Sequence, residues 1–349
     1  MSDVDDAPPD RGTARARPAH SLPSVYPPDD HVLRDLPFEM EETGPRSAVS
    51  HLRLTPNHCR EGRVDPATLL VLTDVLGGFL VGRVIAPDWM ATAQLALHMF
   101  EPPGVGDLRI GATVVRSGRS TVVVSADIDI DIAVGPAGPD GHAAPGAGSN
   151  GPRRAGAAEL TFVRLPRRDT TLDLPTDGPS AGRRLSLAVP GSGLTSPLRR
   201  SIGVDESRGS VALEVTPYVR NSFGAVNGGV VAALAAVAAE GAAAERTGVP
   251  VRVADVVVTY LAQARVGPVE ASASVLRVDG PVALVRVEVR DLGLPDDDGR
   301  PRVAVTAHVH CVADADARPG KVRSGVHDAG GAAGSQGAVE GPGHEPLHR

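Results

Sequence analysis

Two stretches of nearly unbroken apolar residues organise the chain, 66-PATLLVLTDVLGGFLVGR-83 and 228-GGVVAALAAVAAEGAAAER-246. Each is too long for a strand and lacks a polar stripe at helical spacing. Each therefore predicts a helix that must be buried on nearly all sides. Around them the pattern shifts to period two. The stretches 92-TAQLALHMFEPPGVGDLRIGATVVRSGRSTVVVSADI-128 and 254-ADVVVTYLAQARVGPVEASASVLRVDGPVALVRVEV-289 alternate β-branched and polar residues between turn formers, which predicts runs of antiparallel strands. One further strand closes each block, 157-AAELTFVRLP-166 and 302-RVAVTAHVHCVA-313. Gly106 matches Gly267 and Val114 matches Val275 at one offset of 161 with no gap, so the chain repeats itself. A curved antiparallel sheet wrapped around each helix would supply the burial that such helices need.

Between and beyond the two blocks the composition changes. Residues 1–45 are rich in Pro, Asp and Arg and read as a disordered arm. The Gly- and Pro-rich run 135–156 reads as a flexible insertion, 168–197 as a linker, and 315–349 as a disordered tail. The ordered blocks are then 46–167 and 198–314. With 42% apolar residues the chain can build real cores. A net charge of -7 without Lys/Arg runs argues against nucleic acid and against an anionic membrane surface as partners. Two cysteines give no disulfide framework, the start reads as no signal peptide, and no apolar run of about 18 residues is free of charges and turn formers. The expectation is a cytoplasmic protein.

The residues 221-NSFGAVNGG-229, the small-residue helix after them, and TYLAQARVG-PVEASASVLRVDG carry a resemblance. They are similar to hotdog-fold thioesterases of the phenylacetyl-CoA thioesterase type. The resemblance implies an α+β fold of two tandem hotdog domains, an acyl-CoA substrate, no cofactor, and a site shared across a pair of hotdogs. The family pattern has an Asn, a His-Gly-Gly six positions later, and an Asp nine positions after that His. The second block supplies Asn221, Gly228 and Gly229, but puts Asn227 where the family has His and Ala236 where it has the acid. Its hydroxyl position falls at about Ala254. The first block inverts this. Cys59 takes the Asn position and Asp65-Pro66 replaces His-Gly, yet Asp74 falls on the acid position and Thr92 on the hydroxyl position. The two halves are complementary, and the resemblance implies one site assembled from both.

The residues support that assignment on their own physics. Asp74 is the only ionisable residue between Asp65 and Arg83, inside LLVLTDVLGGFLV. A carboxylate on a buried helix is costly unless it is hydrogen-bonded or faces a pocket, and burial raises its pKa toward that of a base. The helix start at Gly228 offers unpaired N–H groups and the positive end of the helix dipole to a developing oxyanion. Pro66 has no N–H to offer, so the other helix start is a poor place for one. The candidate catalytic residues are Asp74 as base or nucleophile, Thr92 to orient water, and Asn221 and Gly228 to hold the carbonyl. Asn227 and Gly229 are candidate substrate contacts.

Other residues receive plainer readings. Glu240 is expected to face solvent or serve the helix end. His308 and His310 are expected to be half-buried strand residues, and Asp127, Asp129 and Asp131 a solvated strand face. Cys59 is expected to be non-catalytic, and no metal site is expected. The rival function is a catalytically silent acyl-CoA-binding or regulatory module. A hydratase ranks lower, since neither helix contains a His. A pair of hotdogs in one chain is compatible with a monomer or with a homo-oligomer.

Overall fold

The computed structural model describes residues 26–100, 106–131, 152–165, 180–205 and 211–313. The arm up to residue 25, most of the insertion expected at 135–156 and the whole expected tail at 315–349 lie outside them. In chain order the elements are strands β1 (Glu39–Gly44) and β2 (Ser47–Arg53), helix α1 (Pro66–Ile85), and strands β3 (Trp89–Met99), β4 (Asp107–Ser117), β5 (Thr121–Asp131) and β6 (Arg153–Leu165). They continue with β7 (Arg184–Ser186), β8 (Val211–Leu213), helix α2 (Gly228–Thr247), β9 (Val251–Tyr260), β10 (Val269–Asp279), β11 (Val282–Pro295) and β12 (Pro301–Ala313).

These strands join into one 12-stranded sheet in the order β8-β10-β11-β12-β9-β3-β6-β5-β4-β2-β1-β7. Every pairing in it is antiparallel. Its middle is the pair β9 and β3, in register from Asp255↔His98 to Thr259↔Gln94. Outward from that seam the order is the same on both sides: β9, β12, β11, β10, β8 one way and β3, β6, β5, β4, β2 the other. The repeat in sequence is thus a repeat in sheet topology.

Each helix packs on its own side of the seam, α1 on β3, β4 and β6 and α2 on β10, β11 and β9, and the two helices pack against each other. By length and composition both are apolar enough to cross a membrane, but 78% of the apolar window in α1 and 72% of that in α2 is buried within the protein. Here the apolar length serves the core. Alternation along the strands fits this: in β5 the side chains of Val122, Val124, Ala126, Ile128 and Ile130 are buried, while the residues between them face outward. Gly229 fixes how closely the helices approach. A Cβ there would lie 2.6 Å from Val71 Cα and 2.8 Å from the Leu70 carbonyl oxygen, so only glycine allows this crossing.

Two expectations about the flanking segments need correction. Within the arm expected at 1–45, residues 26–44 are packed: Val32, Leu33, Leu36, Phe38 and Met40 are buried, and β1 pairs with β2. Averaged over the arm, Pro and Asp conceal a short period-two run, Leu36, Phe38 and Met40, which is a strand signal. Within the linker expected at 168–197, Arg184–Ser186 forms β7 and pairs with β1, from Glu39↔Ser186 to Glu41↔Arg184. Each segment lacks the apolar content to order itself, and each is ordered by the other and by the core beneath them.

Candidate active site

Helix α2 begins at a turn built by two asparagines. Asn221 Oδ1 accepts the N–H of Phe223 at 2.9 Å and of Ala225 at 3.1 Å, closing the loop on itself. Asn227 caps the helix, its Oδ1 accepting the Val230 N–H at 3.3 Å. Phe223 packs edge-on against Trp89 of β3, with ring centroids 4.8 Å apart and planes at 74°, which pins the loop to the other repeat. The turn therefore reaches across the seam toward α1.

Opposite it stands Asp74, buried on α1 with 6% of its surface exposed. Thr92 Oγ1 donates to Asp74 Oδ1 at 2.8 Å, and the Gly229 N–H donates to Asp74 Oδ2 at 2.9 Å. The carboxylate and the two-glycine helix start, 155 residues apart in sequence, are in direct contact. Gly228 makes the approach possible: a Cβ there would lie 2.9 Å from Asp74 Oδ2 and 3.2 Å from Oδ1. Burial pushes the Asp74 carboxyl above the ordinary carboxylate range, and the donors from Thr92 and Gly229 oppose that rise without cancelling it.

The structure thus brings Asp74, Thr92, Asn227, Gly228 and Gly229 together, and Asn221, on the loop that leads into them, lines the same cavity. It also changes one role. The Gly229 N–H, expected to meet the substrate, is used to hold Asp74. Among the described residues the Gly228 N–H donates to nothing, so it is the amide of this helix start that is left for a ligand. Asn221 lines the cavity and its Oδ1 is occupied by the loop, so its NH2 group is the part left to meet a ligand.

That cavity has a volume of about 1360 Å³ and draws its lining from both repeats. Asp74, Gly78, Phe79 and Gly82 line it along α1, while Phe223 and Tyr260 line it from the other half. Two tyrosines there were not singled out in the sequence. Tyr260 Oη donates to the Gly228 carbonyl oxygen at 2.8 Å, bracing the helix start, and its pKa is raised by burial and then by the charge of Asp74. Tyr26 enters from the segment before β1. Tyr260 had a signal, since it lies within the TYLAQARVG stretch that carried the resemblance. Tyr26 had none, standing in a segment whose composition reads as unstructured.

The corresponding place in the other half is built differently. Asp65 caps α1 through the Ala67 N–H at 2.9 Å and also forms a paired ion contact with Arg199, Nε to Oδ2 at 2.7 Å and Nη2 to Oδ1 at 2.8 Å. Arg199 Nη2 also meets Glu240 Oε2 at 2.8 Å, Arg60 meets the same oxygen, and the Val253 N–H donates to Glu240 Oε1 at 3.1 Å. Glu240 is therefore a buried member of an ion network, with 3% of its surface exposed, and not the solvent-facing residue expected. The reason is Arg199, whose guanidinium fits between two carboxylates that the sequence places 175 residues apart. Cys59 lies beside this network, its thiol raised in pKa by burial and then by Asp65, which leaves it protonated.

The other candidates lie on the outer face of the sheet. His308 and His310 are exposed on β12 rather than half-buried. Asp127 and Asp129 bind Arg154, at 2.5 and 2.8 Å. No group of three His, Cys, Asp or Glu residues among those described could hold a metal ion.

Comparison with known proteins gives three results. No curated protein matches the chain significantly. Among solved structures, an acyl-ACP thioesterase from Bacteroides thetaiotaomicron is similar at a TM-score of 0.45 and 15% identity, covering 76% of this chain and 97% of that one. A putative oleoyl thioesterase from Lactobacillus plantarum is similar at a TM-score of 0.45 and 13% identity over 81% and 98%, and a 12:0-ACP thioesterase from Umbellularia californica at 0.47 and 7% over 77% and 94%. Residues 223–295, which run from the Asn221–Asn227 loop through α2 and into β11, match the family model described as the thioesterase superfamily.

Proposed function

We propose that the chain is a thioester hydrolase acting on acyl-CoA, with two tandem hotdog domains and one composite active site between them. The observation that carries this reading is the contact of buried Asp74 with the α2 helix start, in a cavity lined by both repeats. A carboxylate with no cation against it among the described residues, held at both oxygens and open to a cavity, costs stability and suits the work of a base.

The chemistry follows from the groups present. Each Asp74 oxygen keeps a lone pair beyond the bond it already accepts, and the Thr92 hydroxyl can accept while it donates. A water held between them gives its proton to Asp74 as its oxygen adds to the thioester carbon. The carbonyl electron pair moves to oxygen, where the Gly228 N–H and the Asn221 NH2 meet the charge. The C–S bond then breaks, and the thiolate takes the proton from Asp74. A thiol of pKa about 8.5 is a good leaving group, so no second acid is required. In the other half, Pro66 and the Arg199 network occupy the equivalent place, which supports a single live site per chain.

The test is hydrolysis of an acyl-CoA panel followed with a thiol-reactive dye, for the parent and for Asp74→Asn. The variant is expected to lose at least about a hundredfold in kcat, in line with general-base catalysis. Turnover undiminished in the variant would remove Asp74 from the mechanism. Tight binding without turnover in the parent would favour the silent acyl-CoA-binding module.

A further inference from the structure

The cavity contains a polar group that this reaction leaves unused, the hydroxyl of Tyr26. It comes from outside both repeats, carried by the segment that precedes β1. That segment is tied down at several points. His31 Nε2 bonds to the Arg220 carbonyl oxygen at 2.7 Å, next to the Asn221 loop, and the His31 ring meets Tyr26 edge-on with centroids 5.2 Å apart. Arg34 Nη2 donates to the Pro27 carbonyl oxygen at 2.7 Å and Arg34 Nη1 to that of Leu187 at 3.1 Å. Tyr26 is therefore held in place from its own backbone and from its ring.

Its hydroxyl lies beside the side chain of Asn227 and near the carboxylate of Asp74. Tyr26 Oη carries a hydrogen to give. Among the described residues that hydrogen goes to no acceptor.

We propose that Tyr26 contacts the substrate, its hydroxyl donating a hydrogen bond to the thioester carbonyl oxygen and to the oxyanion formed from it. The inference rests on the hydrolase reading. The role is that of a hydrogen-bond donor and not of an acid. Burial, and next the charge of Asp74, raise the phenol well above its ordinary pKa, while the departing thiol has a pKa of about 8.5, so the phenol has no drive to give up its proton.

The experiment compares the parent with Tyr26→Phe, which removes one oxygen and keeps the ring. Donors to an oxyanion contribute about a hundredfold or more in catalysis; a loss of at least about tenfold in kcat/KM is expected, with an unchanged melting temperature. Equal kcat/KM in the two proteins overturns the proposal. A pair of inert acyl-CoA analogues separates this idea from the hydrolase reading. In the ketone analogue a methylene replaces sulfur and the carbonyl remains; in the thioether analogue a methylene replaces the carbonyl. Tyr26→Phe is expected to weaken the ketone by about tenfold and leave the thioether unchanged, whether or not the parent turns over. Equal weakening of both would make Tyr26 a packing residue. A parent that binds both analogues but hydrolyses nothing refutes the hydrolase reading alone.

Discussion

Asp74 is pulled in two directions, by burial that favours its neutral form and by two donors that favour its charge. Removing a donor should shift the balance predictably. In Thr92→Val the carboxyl loses the bond at Oδ1, so its pKa rises further and the acid limb of the pH profile of kcat/KM moves to higher pH. A limb that stays in place would show that Thr92 does not hold the working carboxylate. The same residue links pH to stability with a definite sign. The folded pKa lies above the unfolded value of 3.8, so folding favours the protonated form, and the stability this contributes is lost as pH rises through the folded value. Asp74→Asn, which keeps the shape without the charge, is expected to be the more stable protein at neutral pH, and the gain should vanish below about pH 3.8. Urea melts at several pH values would show this. An equal difference at every pH would mean that charge burial is not the cause.

At the scale of elements, the site depends on the approach of α2 to α1. The first turn of α2 lies on the backbone of Leu70 and Val71, one turn before Asp74. Gly229→Ala places a methyl group 2.6 Å from Val71 Cα, where the obstacle is backbone and cannot swing aside. Overpacking of this kind costs roughly 1–3 kcal/mol. The variant is expected to melt lower and to lose activity together, since the displaced helix carries the Gly229 N–H away from Asp74. Gly228→Ala differs in an informative way: its methyl would lie 2.9 Å from Asp74 Oδ2, and its three nearest neighbours would all be side-chain atoms of Asp74. It is expected to impair turnover more than stability, as measured by kcat beside a thermal melt.

At the scale of the molecule, one half of the pair carries the open site and the other carries charge. Arg199 joins Asp65 and Glu240 with little solvent contact, at side-chain exposures of 12%, 6% and 4%. Breaking a buried network by removing one partner costs roughly 3–5 kcal/mol, because Asp65 stays buried without its cation and Glu240 keeps only the more exposed Arg60. Arg199→Ala should therefore lower stability by that order, while the native fraction keeps the kcat of the parent. A specific loss of kcat would place Arg199 in the working site. His58 adds an acid-sensitive element. It is buried, its Nε2 has no partner among the described residues, and burial lowers its pKa from 6.5 to about 4. Its contribution is complete above pH 6.5 and is lost as pH falls toward 4, for a total of roughly 3 kcal/mol. Replacing it in His58→Asn should flatten the fall in stability across that window, measured by denaturant melts.

The sequence by itself determined the parts whose signals are local. Apolar runs with no polar stripe required two buried helices, period-two alternation set the strands, and the repeat offset showed that one plan was used twice. Asp74 was legible because a lone carboxylate in an apolar helix needs a reason to be there, and the two glycines because a helix start with exposed amides invites a ligand. What depended on contacts between distant residues was decided only in the tertiary structure. The Gly229 amide turned out to hold the acid, since a donor finds its acceptor by proximity in space. Arg199 drew Glu240 into the interior, as no spacing along the chain records which cation fills a gap between two carboxylates. Residues 26–44 and 184–186 became strands and a cavity wall because each supplied the partner the other lacked. Tyr26 reached the site by the same route, in a segment whose composition alone gave it no structure.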